Sequence, residues 1–170
     1  WYSFHEQEAT YAHYKIFVAE VASTCNEILM LRHLISNAKS KEEKMFLINQ
    51  MLEKFRGTFF RQAMFAEFEW KTHQMCWEGT PLTKDVLCSL YHDLNVKYFG
   101  EDMVVDSDID YEWERIPHFY RPFYVYQYST GFAAATAVAG KILAGDTQAL
   151  EGYFKFLKGG CSMTPIELLK

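Results

Sequence analysis

The 170-residue sequence lacks several features that would declare a function class at once. It has no basic cluster: 17 lysines and arginines are scattered among 22 acidic residues, and the net charge is -5. No positive field is available to condense onto phosphates, so nucleic acid is not an expected partner. It has no C-x-x-C pair. Cys25, Cys76, Cys88 and Cys161 stand far apart with no signal peptide before them, which argues against a zinc knuckle or a secreted disulfide framework and predicts reduced thiols in a cytoplasmic protein. There is no internal repeat and no low-complexity tract. The one long uncharged run, Pro122 to Gly140, carries Gln127, several hydroxyls and two glycines among small alanines, so it reads as a core helix and no membrane partner is expected.

What is present is apolar: 49% of the residues, with 17% aromatic, enough for one or at most two compact domains with a sizeable core. The pattern predicts an all-α fold. From Tyr14 to about Ser36 apolar residues fill nearly the whole helical wheel, leaving a polar arc of Glu20, Ser23, Thr24, Asn26 and Glu27, as in a mostly buried helix. Ser40 and Glu43 form a capping-box pattern that opens a helix to about His73, with Gly57 as a weak point. Thr80-Pro81 and Thr83 announce a helix through Leu87, Leu90, Tyr91, Leu94 and Tyr98 that Gly100 ends. Residues 101–117 are acidic and aperiodic and predict a long structured loop anchored by Val104, Val105, Ile109, Tyr111 and Trp113. A helix is expected from about Pro122 and a short one over 146–157, with Pro165 in the first turn of another that has barely begun. The chain starts at Trp1 and stops at "TPIELLK", and both ends read as cuts.

Three groups could carry chemistry. "HEQEATYAH", residues 5 to 13, begins like the H-E-x-x-H of zinc proteases, in which two histidines four apart share one helical face. Ala9 stands where the second histidine belongs. His5 and His13, about 11 to 12 Å apart on a helix, could not share one zinc ion. Glu20 lies on an apolar helix with no lysine or arginine three or four residues away to pair with it. Such a carboxylate either faces solvent or binds a cation, and Glu27 on the same face fits both readings. "IPHFYRPFYVYQY" gathers His118 with Tyr120, Tyr124, Tyr126 and Tyr128. A wall of phenols and an imidazole can donate to a developing oxyanion, or can simply be aromatic core with wet tips.

Four blocks, "YKIFVAEVASTCNE" (14–27), "TFFRQAMFAEFE" (58–69), "IPHFYRPFYVYQYSTG" (116–131) and "MTPIELLK" (163–170), together resemble the oligoendopeptidase F branch of the thimet-oligopeptidase-like zinc metallopeptidases, in family order and across the whole chain. The resemblance implies that residues 1–170 are the C-terminal part of one helical, zincin-like catalytic domain. It implies Zn as cofactor and short unstructured oligopeptides, cut internally, as substrates. Glu20 matches the family's glutamate zinc ligand, with Glu27 implied to orient the histidine helix. The H-E-x-G-H helix, carrying two ligands and the general base, is implied to lie before Trp1, so that the chain's partner is the remainder of its own catalytic domain. The chain by itself should be inactive. His118 matches the histidine that lines the site, and one of Tyr120, Tyr124, Tyr126 and Tyr128 matches the oxyanion-stabilising phenol, Tyr126 being favoured. The family's glycine-rich loop between histidine and tyrosines is absent here and the tyrosine spacing differs. The rival reading is a non-enzymatic helical interaction module, or a degenerate relative that kept the fold and lost the metal.

Overall fold

The computed structural model describes residues 1–169, and every regular element among them is helical. A short helix, α1 (Tyr2–Glu6), precedes α2 (Ile16–Ser36). In α2 the buried stripe is Val18, Val21, Thr24 and Cys25, three or four residues apart around one face. The mostly buried helix expected from the sequence does not form. Ile16, Met30 and Leu34 are exposed, and only one side of the cylinder is covered. Thr24, expected on the polar arc, is buried; Glu20 is half-buried, and Ser23, Asn26 and Glu27 are exposed.

The helix expected over 40–73 is divided. It comprises α3 (Lys41–Lys54), a π-helical turn at Phe55–Phe60, and α4 (Arg61–Trp77). Gly57, the foreseen weak point, lies inside the wide turn, where Phe55, Phe59 and Phe60 cluster with ring centroids 5.4 to 6.1 Å apart. At the start of α3 the Glu43 amide donates to Ser40 Oγ at 3.1 Å, as a capping box requires, but its carboxylate accepts from Lys39 N at 2.7 Å, one residue earlier than the reciprocal bond.

Thr83 caps α5 (Lys84–Phe99), accepting from Val86 N at 3.4 Å, and Gly100 ends it at φ 85°. The acidic segment condenses into two 3-10 helices, Ser107–Arg115 and Pro117–Tyr120. Its anchors differ from those expected. Val104 is 91% exposed and Tyr111 is exposed, whereas Ile109 and Trp113 pack on the core beside a buried glutamate, Glu112. Helix α6 (Tyr126–Leu143) starts four residues later than the pattern from Pro122 suggested. The reason is Phe123, whose φ of 56° is left-handed and breaks a right-handed helix. Asp146 Oδ1 accepts from Ala149 N at 3.0 Å to open α7 (Thr147–Lys158), and α8 (Pro165–Leu168) carries a complete Thr164/Glu167 capping box.

The chain forms two compact units. One comprises Trp1–Lys54 and the chain from Thr130 onward. Its core sets Val18, Val21 and Cys25 of α2 against Ala135 and Ala139 of α6 and Tyr153 and Phe156 of α7. The alanines let α2 and α6 approach closely: a Cβ on Gly131 would lie 3.6 Å from Glu20 Cβ. The other unit, Phe55–Ser129, packs Met64, Phe65 and Phe68 of α4 on Leu90, Tyr91 and Leu94 of α5, closed by Ile116 and Val125. No helix among the described residues is long and apolar enough to cross a membrane. All four cysteines are free thiols.

Candidate functional site

The "HEQEATYAH" segment is a connection. His5 stacks on Trp1 with ring centroids 4.0 Å apart, His13 packs edge-on against Phe4, and Glu6 pairs with Lys158 at 3.2 Å. Its backbone is clasped to the loop after α7, where Cys161 N donates to the Tyr11 carbonyl at 2.9 Å.

Glu20 sits on α2 in the first unit, half-buried beside the α6 backbone. The sequence offered it no cation within a helical turn, but folding brings one from α3. Lys54 pairs with Glu27 and feels the charge of Glu20: burial pushes the Lys54 amine below the usual lysine range, and Glu20 pulls it back up. A partner 34 positions away leaves no trace in a helical-wheel reading. Tyr153 fixes the other side of α2, its hydroxyl donating to the Ala22 carbonyl at 3.0 Å and Asn26 Oδ1 at 3.1 Å.

In the second unit, three of the five histidine and tyrosine candidates come together. The His118 ring lies parallel to Tyr124, within 5° at 5.9 Å, and edge-on to Tyr128 at 5.8 Å. The two tyrosine rings meet edge-on at 5.4 Å, and Tyr128 Oη donates to Tyr124 Oη at 3.0 Å. All three side chains are half-buried. The spacing explains the convergence. Tyr124 and Tyr128 are four apart across the start of α6, so they share a face, while Tyr126 points elsewhere and is 50% exposed. Tyr120, at the end of its 3-10 helix, is 84% exposed. The phenol pair spends one hydroxyl proton on itself, leaving at most one for another oxygen.

Two buried glutamates lie in the same unit, and sequence reasoning missed both. Glu112, 5% exposed, accepts from Tyr91 Oη at 2.7 Å and from Arg61 and Arg115. Burial alone would raise its carboxyl, but the hydrogen bonds of Tyr91 and Arg61 and the charges of Arg61 and Arg115 outweigh this and hold it below the usual range. Glu69 on α4, also 5% exposed, accepts from Phe123 N at 2.6 Å. The signal for both was a carboxylate inside an aromatic run, "FAEFEW" and "DYEWER".

Among the described residues no three His, Cys, Asp or Glu side chains stand together so as to hold a metal ion. Glu20 by itself does not fit zinc, which takes three protein ligands in catalytic sites. A cleft of about 340 Å³ between α1, α2 and α7, lined by Tyr14, Val18, Ala22, Ser23 and Phe156, includes none of the candidates; the chemistry of the side chains, rather than this hollow, locates the site.

The sequence matches the model of peptidase family M3 over residues 1–170. The chain belongs to peptidase family M3. This M3 chain is 50% identical over 170 residues to oligopeptidase PepF of Bacillus subtilis, covering 100% of the chain and 25% of that protein. It is 46% identical over 163 residues to the plasmid-encoded oligoendopeptidase F of Lactococcus lactis subsp. cremoris, covering 96% and 27%. The crystal structure of oligoendopeptidase-F from Enterococcus faecium superposes with a TM-score of 0.86 at 46% identity, over 92% of this chain and 30% of that one. A crystal structure from Chlamydophila abortus gives a TM-score of 0.92 at 43% identity, over 99% and 28%. The oligoendopeptidase F branch is thus the one the four sequence blocks pointed to, and the M3 chain spans about a quarter of the length of these curated relatives.

Proposed function

We propose that this chain is part of a zinc-dependent, cytoplasmic endopeptidase that cuts short unstructured oligopeptides internally, and that residues 1–170 form the C-terminal part of its catalytic domain. In this reading Glu20 is one carboxylate ligand of the zinc, while two histidine ligands and the general base are supplied by the remainder of the protein. Family membership and the names of the oligopeptidase relatives support the reaction class. One observation carries the local assignment: the rings of His118, Tyr124 and Tyr128 pack into a single half-buried cluster in which the two tyrosine hydroxyls are hydrogen-bonded to each other.

Such a cluster suits the oxygen of a peptide carbonyl as it gains charge under attack. Donors fixed in advance cost nothing to reorganise, and half-burial strengthens each bond over its value in water. The interlocked rings hold the imidazole and phenols in one arrangement before substrate arrives.

The test is a phenylalanine series in the intact protein. Removing one oxyanion donor costs about 10² to 10³ in kcat, so Tyr124→Phe or Tyr128→Phe should produce that loss with KM nearly unchanged. Loss at Tyr126→Phe alone would reassign the donor to the half-exposed residue. Full turnover in all three would sink the assignment of the tyrosines.

A further inference from the structure

Glu69 is a buried carboxyl that the proposed reaction does not use. It projects from α4, 5% exposed, and no lysine or arginine among the described residues pairs with it. What it does bind is the Phe123 amide, at 2.6 Å. Phe123 is also, among the described residues, the one non-glycine residue with positive φ, at 56°, and it immediately precedes Tyr124. One turn along α4, His73 packs its ring 4.8 Å from the Phe123 ring, and its Nδ1 lies 2.8 Å from the Glu69 carbonyl oxygen. Two residues of α4 therefore grip both the backbone and the ring of Phe123.

An L-residue rarely adopts this conformation unless its surroundings over-determine it. Were Phe123 to relax to negative φ, the chain would swing about its N–Cα bond and carry Tyr124 away from the His118 ring with which it is now parallel within 5°. The hydrogen bond from Phe123 N to Glu69 fixes the peptide plane about which that swing would turn, and the His73 ring packed on the Phe123 ring resists the turn itself, so the two contacts together hold the positive φ.

We infer that Glu69 is a positioning residue for the His118, Tyr124 and Tyr128 cluster, acting through the backbone of Phe123. This rests on the role proposed above for the cluster. Glu69 does not touch substrate. Its removal should therefore lower kcat and leave KM nearly alone, because substrate still binds while the donors are misplaced. Misplacement by about an ångström costs up to about a hundredfold in rate.

The experiment uses the intact protein. Glu69→Ala should lower kcat about ten- to a hundredfold with KM little changed, and its crystal structure should show Phe123 at negative φ and the His118–Tyr124 stacking lost. Glu69→Gln keeps an acceptor oxygen at the same reach and should restore both turnover and stacking. If Glu69→Ala does not fold, Glu69→Asp, shorter by one bond of about 1.5 Å, should show the same losses in milder form. An intact cluster in the alanine or aspartate variant overturns the inference, as does a glutamine variant as impaired as alanine. A displaced cluster with unchanged kcat upholds the positioning role and instead refutes the function proposed for the cluster.

Discussion

Glu112 remains a carboxylate inside a core because three donors converge on it, from Tyr91, Arg61 and Arg115. The arrangement is reciprocal: burial, together with the hydrogen bond and charge of Glu112, pushes the Tyr91 phenol far above its ordinary value. Glu112 itself is held below its ordinary 4.5. Because the folded value lies below the unfolded one, Glu112 contributes stability above pH 4.5, and the contribution disappears as pH falls through the folded value. Glu112→Gln should therefore lower the unfolding free energy at pH 7 by about 1.5 to 3 kcal/mol, the worth of hydrogen bonds to a charged group. Urea titrations at successive pH values should show the two proteins converging on the acid side. A gap that stays constant down to pH 3 would mean that Glu112 acts by shape and not by charge. None of this was legible in "DYEWER", where Glu112 looked like one more solvated acid in an acidic loop. Its partners Arg61 and Tyr91 lie 51 and 21 positions away, beyond the reach of any local pattern.

At the scale of elements, helices were legible wherever a local signal began or ended them. Thr83 and Gly100 delimit α5, and Asp146 opens α7, because a side-chain acceptor and a positive φ act within a few residues. The start of α6 was not legible, since Phe123, with its positive φ, is tied by its backbone N–H to Glu69, 54 positions back on α4. The clasp between the segment after α1 and the loop after α7 was hidden for the same reason. It forms where Gly160, at φ 55°, lies so close to Tyr11 that a Cβ would collide with the Tyr11 carbonyl oxygen. Gly145 also has positive φ, at 85°, but nothing surrounds it. Gly145→Ala should then cost only the backbone strain, about 1 kcal/mol. Gly160→Ala adds a clash with backbone that cannot rotate away, and should cost several times more while breaking the Cys161 to Tyr11 hydrogen bond. Thermal melts of the two variants decide the point, and equal losses would show that the clasp yields easily.

For the whole molecule the informative feature is apolar surface left uncovered. Helix α3 has no buried residue at all, and its Met45, Phe46 and Leu52 are exposed, as are Ile16, Met30 and Leu34 on α2. Scattered exposed hydrophobics are ordinary, but an amphipathic helix whose best-covered apolar residues, Leu47, Ile48 and Met51, are only half-buried is not. The chain also spans only about a quarter of its curated relatives' length, so the proposed partner for these faces is the remainder of the same catalytic domain. Two outcomes follow for the isolated 170-residue polypeptide. It should bind a hydrophobic dye and self-associate at micromolar concentration, more strongly in sulfate, which reinforces apolar burial. It should also fail to hydrolyse a quenched oligopeptide, because one carboxylate does not make a catalytic zinc site. Sedimentation and a fluorogenic assay with and without phenanthroline test both. A monodisperse monomer that binds no dye would count against a missing partner surface, and phenanthroline-sensitive cleavage would place a complete metal site within these residues.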